Sequence, residues 1–236
     1  VVVGILIALS INNWNQNRKA QEKELSSIKE IMENLEYDIV RCERNMAFNT
    51  TVIYGLDSLR TSVGNSIDGI DETANIYYFS LKYGQDFGRA ALNRAAYDEL
   101  ITSGAVKLID NRTLVNSLSD YYERKSITAQ EFAPLNSHSN LRNMQNMLIS
   151  YREMQEYIQS FNSINPDSFM PDYDVRNILQ IKNLKLLNPK GVNLNDYYNS
   201  ISQFEIDLNT YIFYLSWAKE ASENLILEIK NEYQIN

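Results

Sequence analysis

From Leu25 onward, apolar and small residues return in alternating steps of three and four: Leu25, Ile28, Met32, Leu35, Ile39, Cys42 and Met46, then Asn49, Ile53 and Leu56. That period belongs to one face of a helix, and its persistence predicts a single long helix presenting a narrow seam to partner helices. Asn49 is the polar member of the stripe. A buried amide there would fix register at some cost in stability, whereas an outward one would only mark where the helix drifts out of phase. The same step returns at the other end of the chain, through Tyr197, Ile201, Phe204, Leu208, Tyr211, Leu215, Ala218, Ser222, Leu225 and Ile229. Two matching seams predict an antiparallel pairing of the first and last helices in an elongated all-α bundle, made within one chain or between chains.

Between them the pattern is more broken. Thr61 to Asn75, "TSVGNSIDGIDETAN", is rich in Gly, Ser, Asn and Asp and reads as the first long connection. An aromatic piece, "IYYFSLKYG", follows as helix or extended chain. Leu92, Ala96 and Leu100 align on a helix closed by Gly104, and Asp110 or Asn111 can cap a helix that carries Leu114, Leu118 and Tyr121. That helix bends at Pro134 into a stretch bearing Leu141, Met144, Leu148 and Tyr151. The strongest loop signal is Phe161 to Asp174, with a short helix expected over Val175 to Leu187 and a turn at "NPKG".

The opening differs in kind. Val1 to Ile11 carries no charged side chain and one polar residue, Ser10, and it passes through Asn12, Asn13 and Trp14 into a charged helix-forming segment without a Gly or Pro break. Eleven helical residues rise about 16 Å, roughly half a hydrocarbon core. Residues 1–13 are therefore expected to be the C-terminal part of a truncated transmembrane helix, with Trp14 in the interfacial belt and residues 14–236 forming the helical domain outside the membrane. Ala8 and Ser10 also have the spacing of a signal-peptide cleavage site, but the apolar run belongs to the chain itself. Gly4 and Ala8 have the small-xxx-small spacing that lets helices approach closely in lipid.

"GILIALSINNWNQNRK", Gly4 to Lys19, resembles the signature "GILIALQINNWNE.RK" of an uncharacterised family of single-pass membrane proteins of Gram-negative bacteria, departing from it at Ser10 and Gln16. A second stretch, "AAYDELITSGAVKLIDNRTLVNSLSDYYE", Ala95 to Glu123, is similar to that family's "Y.EL..SG.L.LI.N..L...L..YY". Together the two stretches cover under a quarter of the chain. The resemblance implies a short basic cytoplasmic N-terminus, one inner-membrane helix and a helical domain in the periplasm. It implies no activity.

Composition narrows the chemistry. The 236 residues hold 8 Gly and 4 Pro, few for an all-β chain, and a formal charge of −8 disfavours nucleic-acid binding. A lone Cys42, at a seam position, excludes an intrachain disulfide and reads as a buried apolar residue; the lone His138, in a polar run, reads as solvated or capping and excludes a multi-histidine metal site. Phosphate-loop, dinucleotide, zinc-protease, CxxC and EF-hand spacings do not occur. The carboxylate groups Asp71 with Glu72, Asp172 with Asp174, and Glu33 with Glu36 read as caps or solvated charges, and no catalytic, cofactor or metal residue is assigned.

Tyrosine is abundant, 16 in all, and it clusters at Tyr77 and Tyr78, Tyr121 and Tyr122, Tyr197 and Tyr198, and Tyr211 with Phe213 and Tyr214. Such rings can fill a wide core, line a ligand pocket or meet another subunit. The functional expectation is a non-catalytic interaction module, anchored in the bilayer and forming a homo-oligomer or part of an envelope complex, with Asn49, Tyr121, Tyr122, Tyr211 and Tyr214 as the candidate interaction or register residues. The alternative is a single-pass sensor whose bundle binds a small ligand. A converged pocket of carboxylates with His138 would instead indicate an enzyme.

Overall fold

A computed structural model describes residues 2–150, 179, 184–189 and 194–235. All the regular elements among them are helical. Helix α1 runs from Val2 to Ile67, α2 from Thr73 to Tyr83, α3 from Ala95 to Thr102, α4 from Arg112 to Asp120, α5 from Ser126 to Glu131, α6 from Leu135 to Leu148 and α7 from Leu194 to Tyr233. A 3₁₀ turn, Ala105–Leu108, precedes α4, and a π-helical turn, Tyr121–Lys125, joins α4 to α5.

The Gly- and Asn-containing stretch after Thr61 is helical for one further turn and a half. Helix α1 ends only at Ile67, where Gly69 takes φ +90°, so residues 61–67 are not part of the expected connection. Helix propensity of single residues yields here to burial, since Ser62 and Val63 lie inside. The aromatic piece is helix α2, Gly104 closes α3 with φ +72°, and Asn111 caps α4 by accepting from the amides of Thr113 and Leu114. The loop expected at Phe161 to Asp174 lies outside the described residues, as does most of the short helix expected at 175–187; residues 184–187 are not helical.

The chain forms two compact units, each discontinuous in sequence. Unit 1 comprises Val1–Glu43, Ala90–Gln130 and Ser216–Asn236; unit 2 comprises Arg44–Arg89 and Glu131–Leu215. In unit 1, Ile28, Ile31 and Leu35 of α1 pack with Tyr97 and Leu100 of α3, Leu114 and Leu118 of α4, and Leu225 and Ile229 of α7. The α7 residues run opposite to α1, for the Tyr233 hydroxyl donates to Glu24 at 2.5 Å while Lys219 pairs with Glu43 at 3.2 Å. In unit 2 the interior is built from Val52, Leu56 and Leu59 of α1, Ile76, Tyr77 and Leu81 of α2, Leu141 of α6 and Ile201, Phe204 and Leu208 of α7. There too α7 runs against α1, with Arg60 at 3.2 Å from Glu205 and Gly64 facing the Tyr198 ring.

The seam of α7 is buried at every expected position from Tyr197 to Ile229. That of α1 is shifted. Ile28, Leu35, Cys42, Asn49, Leu56 and Val63 are buried as one heptad row, but the companion row is Ile31, Asp38, Asn45, Val52 and Leu59. The expected Leu25, Ile39, Met46 and Ile53 are only half buried. Hydrophobicity favours Ile39 and Met46 over Asp38 and Asn45, and the pattern follows it; at Asp38 the fold reverses that choice by supplying the Asn93 N–H and the Tyr121 hydroxyl as hydrogen-bond partners.

Candidate functional site

Three features of the molecule could carry function: the first turns of α1, the buried polar positions of its seam, and the surface aromatics. Along the first turns, Val3, Ile5, Leu6, Ile7, Leu9 and Ile11 are all exposed, and Trp14 is 65% exposed with Arg18 over its ring at 5.6 Å. Consecutive exposed positions on a helix point to every side of it, so this is not one misplaced face. Gly4 and Ala8 fall in the same turns, and their side-chain placement lies outside the described residues. Among the described residues no helix is long and apolar enough to cross a membrane.

In unit 1 the seam position Asp38 is 0% exposed. Its Oδ1 accepts the backbone N–H of Asn93 at 2.9 Å and its Oδ2 accepts the hydroxyl of Tyr121 at 2.8 Å. The Asn93 side chain in turn donates to Asn34 at 2.8 Å, and Arg41 donates to the Ala91 carbonyl, so α1 holds the segment leading into α3 at several points. Burial raises the Asp38 carboxyl to about 6; the Asn93 amide, the Tyr121 hydroxyl and Arg41 each hold it lower than burial alone would. One turn away, burial and the nearby Asp38 and Glu43 push the Cys42 thiol up to about 12, which leaves it protonated and unreactive.

The π turn explains how two consecutive tyrosines enter this nest. The N–H of Ser126 reaches back five residues to the Tyr121 carbonyl, and the widened turn keeps Tyr121 and Tyr122 both inside. Tyr122 stacks on Tyr97 at 4.5 Å and meets the Tyr121 ring edge-on at 4.8 Å, while its own buried hydroxyl has no partner among the described residues. Burial pushes both hydroxyls above the ordinary tyrosine value.

In unit 2, Asn49 is fully buried and makes a two-way bond with one residue. Its Nδ2 donates to the Gly88 carbonyl at 3.0 Å and its Oδ1 accepts the Gly88 N–H at 2.7 Å. A Cβ on residue 88 would come within 2.6 Å of Asn45 Oδ1 and 2.7 Å of the Phe48 ring, so only glycine allows this approach. Asn49 thus sets the register of the segment after α2 against α1, and the solvent-facing alternative for it is excluded by its burial.

The remaining candidates divide. Tyr211 is buried beside Phe87, at 6.4 Å between rings, and so, like Tyr121 and Tyr122, it presents no outward face to another subunit. Tyr211 lies on the buried row of α7, whereas Tyr121 and Tyr122 are both carried inside by the π turn. Tyr214 is half buried, stacked on Phe132 at 4.1 Å and edge-on to Phe213, which is 64% exposed. His138 is half buried rather than solvated: its ring lies 5.2 Å from Phe87 and 5.2 Å from Phe204, and burial lowers its basicity while the backbone of Gln85 and Gly84, at the end of α2, acts to raise it. Asp71, just outside the Glu72 N-cap position of α2, accepts the Thr73 N–H at 3.1 Å; Glu72 is tied to Asn65 and Asn75; Glu33 and Glu36 are exposed. Asp172 and Asp174 lie outside the described residues. Among the described residues no group of His, Cys, Asp and Glu could hold a metal ion.

Asp38 was not singled out by sequence. Its only signal is a heptad one, seven residues after Ile31 and seven before Asn45, visible once the buried row is known. No curated protein and no solved structure matches the chain. Residues 1–135, more than half of the 236, match the model of a family of unknown function, DUF6090, and the matched stretch carries the exposed apolar turns, Asp38, Asn49 and the tyrosine π turn; the chain belongs to that family.

Proposed function

We propose that the chain is a membrane-anchored helical interaction module, which binds rather than transforms, with residues 1–13 in the bilayer of a bacterial inner membrane and residues 14–236 on its periplasmic side. The observation that carries this reading is the exposure of Val3, Ile5, Leu6, Ile7, Leu9 and Ile11 around the whole circumference of α1. An apolar band of that extent is costly in water and is a membrane or protein contact when it occurs. Trp14 and Arg18 follow it in the order of an interfacial ring and a headgroup-level cation. Eleven helical residues rise about half the thickness of the hydrocarbon layer.

Beyond the membrane the module associates with itself or with an envelope complex. The exposed stack of Phe132, Phe213 and Tyr214 is the surface of aromatic character most suited to such a contact. The buried Asp38 argues for structure over catalysis, since a carboxyl with no exposed surface and two fixed donors is closed to substrate.

The test is extraction of the native protein from membranes with mild detergent, followed by native mass spectrometry. A stoichiometric oligomer or hetero-complex is the expected result. A bare monomer under gentle extraction overturns the association, and recovery in the soluble fraction overturns the anchor. Ile5→Glu with Leu9→Glu is expected to release the protein from the membrane fraction while leaving its helix content unchanged.

A further inference from the structure

We propose that His138 is an acid-sensitive latch of unit 2, whose protonation loosens α6 from the end of α2. The latch is a row on α6, one residue per turn: His138, Arg142 and Gln145. Arg142 donates to the Gln85 side-chain oxygen, and the fully buried Gln145 donates to the Ser80 carbonyl at 3.3 Å. Gln85 donates to that same carbonyl at 3.2 Å. A Cβ on Gly84, the C-cap of α2, would come within 1.9 Å of Gln145 Nε2, so the close approach of α6 here depends on that glycine.

His138 opens this row, and its ring is poorly provided for a charge. Its Nε2 is buried and has no hydrogen-bond partner among the described residues. Phe87 meets the ring at 5.2 Å and 69° to its plane, and Phe204 lies at 5.2 Å on α7. A neutral imidazole carries one N–H and an imidazolium carries two, so the protonated ring must present a charged donor at Nε2. There it meets phenyl rings and no acceptor, and a buried charged donor left unpaired is the costly case.

The groups around the ring divide. On α6 the permanent cation Arg142 lies one turn away, bonded to the side-chain oxygens of Gln85 and Gln145. The segment after α2 brings the exposed Asp86 and Phe87, and α7 brings Phe204 and, behind Phe87, the Tyr211 ring. Burial and then Arg142 disfavour the charge on His138, whereas Asp86 and the backbone of Gln85 and Gly84 favour it; the balance holds its midpoint below the ordinary histidine value. The folded chain therefore binds fewer protons at this group than the unfolded one as pH falls through that ordinary value, and unit 2 loses stability in that window. Unit 1 has the opposite sign, since its buried Asp38 is raised to about 6. The latch is internal to unit 2 and does not depend on the membrane reading.

His138 is the only histidine of the sequence, so its ring gives one titrating signal in the NMR spectrum of the full chain made without added histidines. Its midpoint is expected below that of the urea-unfolded chain. A midpoint at or above it, the result if the faces of Phe87 and Phe204 hold the imidazolium, overturns the latch. Hydrogen exchange at about pH 7.5 and about pH 5.5, corrected for the intrinsic rate, reads the loosening. Amides of α6 and of residues 80–88 are expected to exchange faster in acid, by up to about tenfold for each pH unit between the two midpoints, while those of α3 and α4 do not. Acceleration spread over both units, or none in α6, overturns the latch. His138→Phe removes the titrating group, and the acid response of α6 is expected to vanish with it; a response that persists overturns His138 as its cause. Where the phenyl ring is not accommodated, the wild-type midpoint and exchange pattern decide.

Discussion

Asp38 and Asn49 sit on the same helix, in the same buried seam, and each captures a backbone N–H of the segment between α2 and α3: Asn93 for Asp38, Gly88 for Asn49. The solutions differ in charge. Asn49 matches donor to acceptor and acceptor to donor on one residue, so its bond pair is complete at any pH. Asp38 accepts twice and must either carry a charge into an apolar interior or hold a proton there. The lesson is that two polar intrusions of similar burial can do different work, one setting register without reference to solution conditions and the other tying register to the proton.

The comparison breaks most forcefully at Asn49. Asn49→Leu leaves both the N–H and the C=O of Gly88 buried without partners, and a loss of about 3–5 kcal/mol is expected. Urea denaturation, with hydrogen exchange of the amides around residue 88, measures it; a loss below about 1 kcal/mol would mean the amide does not hold that segment.

Next is the pH dependence at Asp38. Its folded value of about 6 lies above the ordinary carboxyl value, so the folded chain binds more protons than the unfolded one between those values. Stability from this group is therefore greatest in acid and falls as pH rises toward the folded value, by about 3 kcal/mol in all, then levels. The difference between wild type and Asp38→Asn, followed from pH 4 to 8, isolates the effect. Asn49→Asp is expected to bring the same acid-favouring slope into unit 2, and a flat profile there would dissolve the comparison.

Tyr121→Phe sharpens it further. Against an ionised Asp38 the lost bond is charge-assisted and is expected to cost about 1.5–3 kcal/mol, but against the neutral acid only about 0.5–1.5 kcal/mol. Equal losses at pH 4 and pH 8 would show that the hydroxyl does not sense the carboxyl. The smallest effect concerns Cys42, one turn from Asp38 on the same seam. With its thiol held up at about 12 and buried, alkylation at pH 8 is expected only at the rate of unfolding. Fast native labelling would contradict the closed packing described around Asp38.

Much of the helix plan was legible in the sequence. The row Ile28, Leu35, Cys42, Asn49 and Leu56 and the whole stripe of α7 are buried where the period put them, because apolar residues at heptad spacing have one inexpensive place to go. The cap at Asn111 and the stop at Gly104 were equally readable, being local chemistry. The second row of α1 was not. Its members Asp38 and Asn45 are less hydrophobic than Ile39 and Met46, and no window of sequence around them announces a tyrosine 83 residues later or an amide 55 residues later. His138 was misplaced for the same reason: its neighbours in sequence are polar, while its neighbours in space are Phe87 and Phe204.

By itself, then, the sequence determined that this chain is helical, that its first and last helices are long, and that its opening turns are apolar on all sides. Those are properties of periodicity and composition, which act within a few residues. The tertiary structure decided which face of α1 is inside, that consecutive tyrosines enter the core through a π turn, and that Asn49 and Asp38 hold different stretches of one segment. Burial of a polar group is unfavourable until its partner arrives, and the partner here is always remote in sequence.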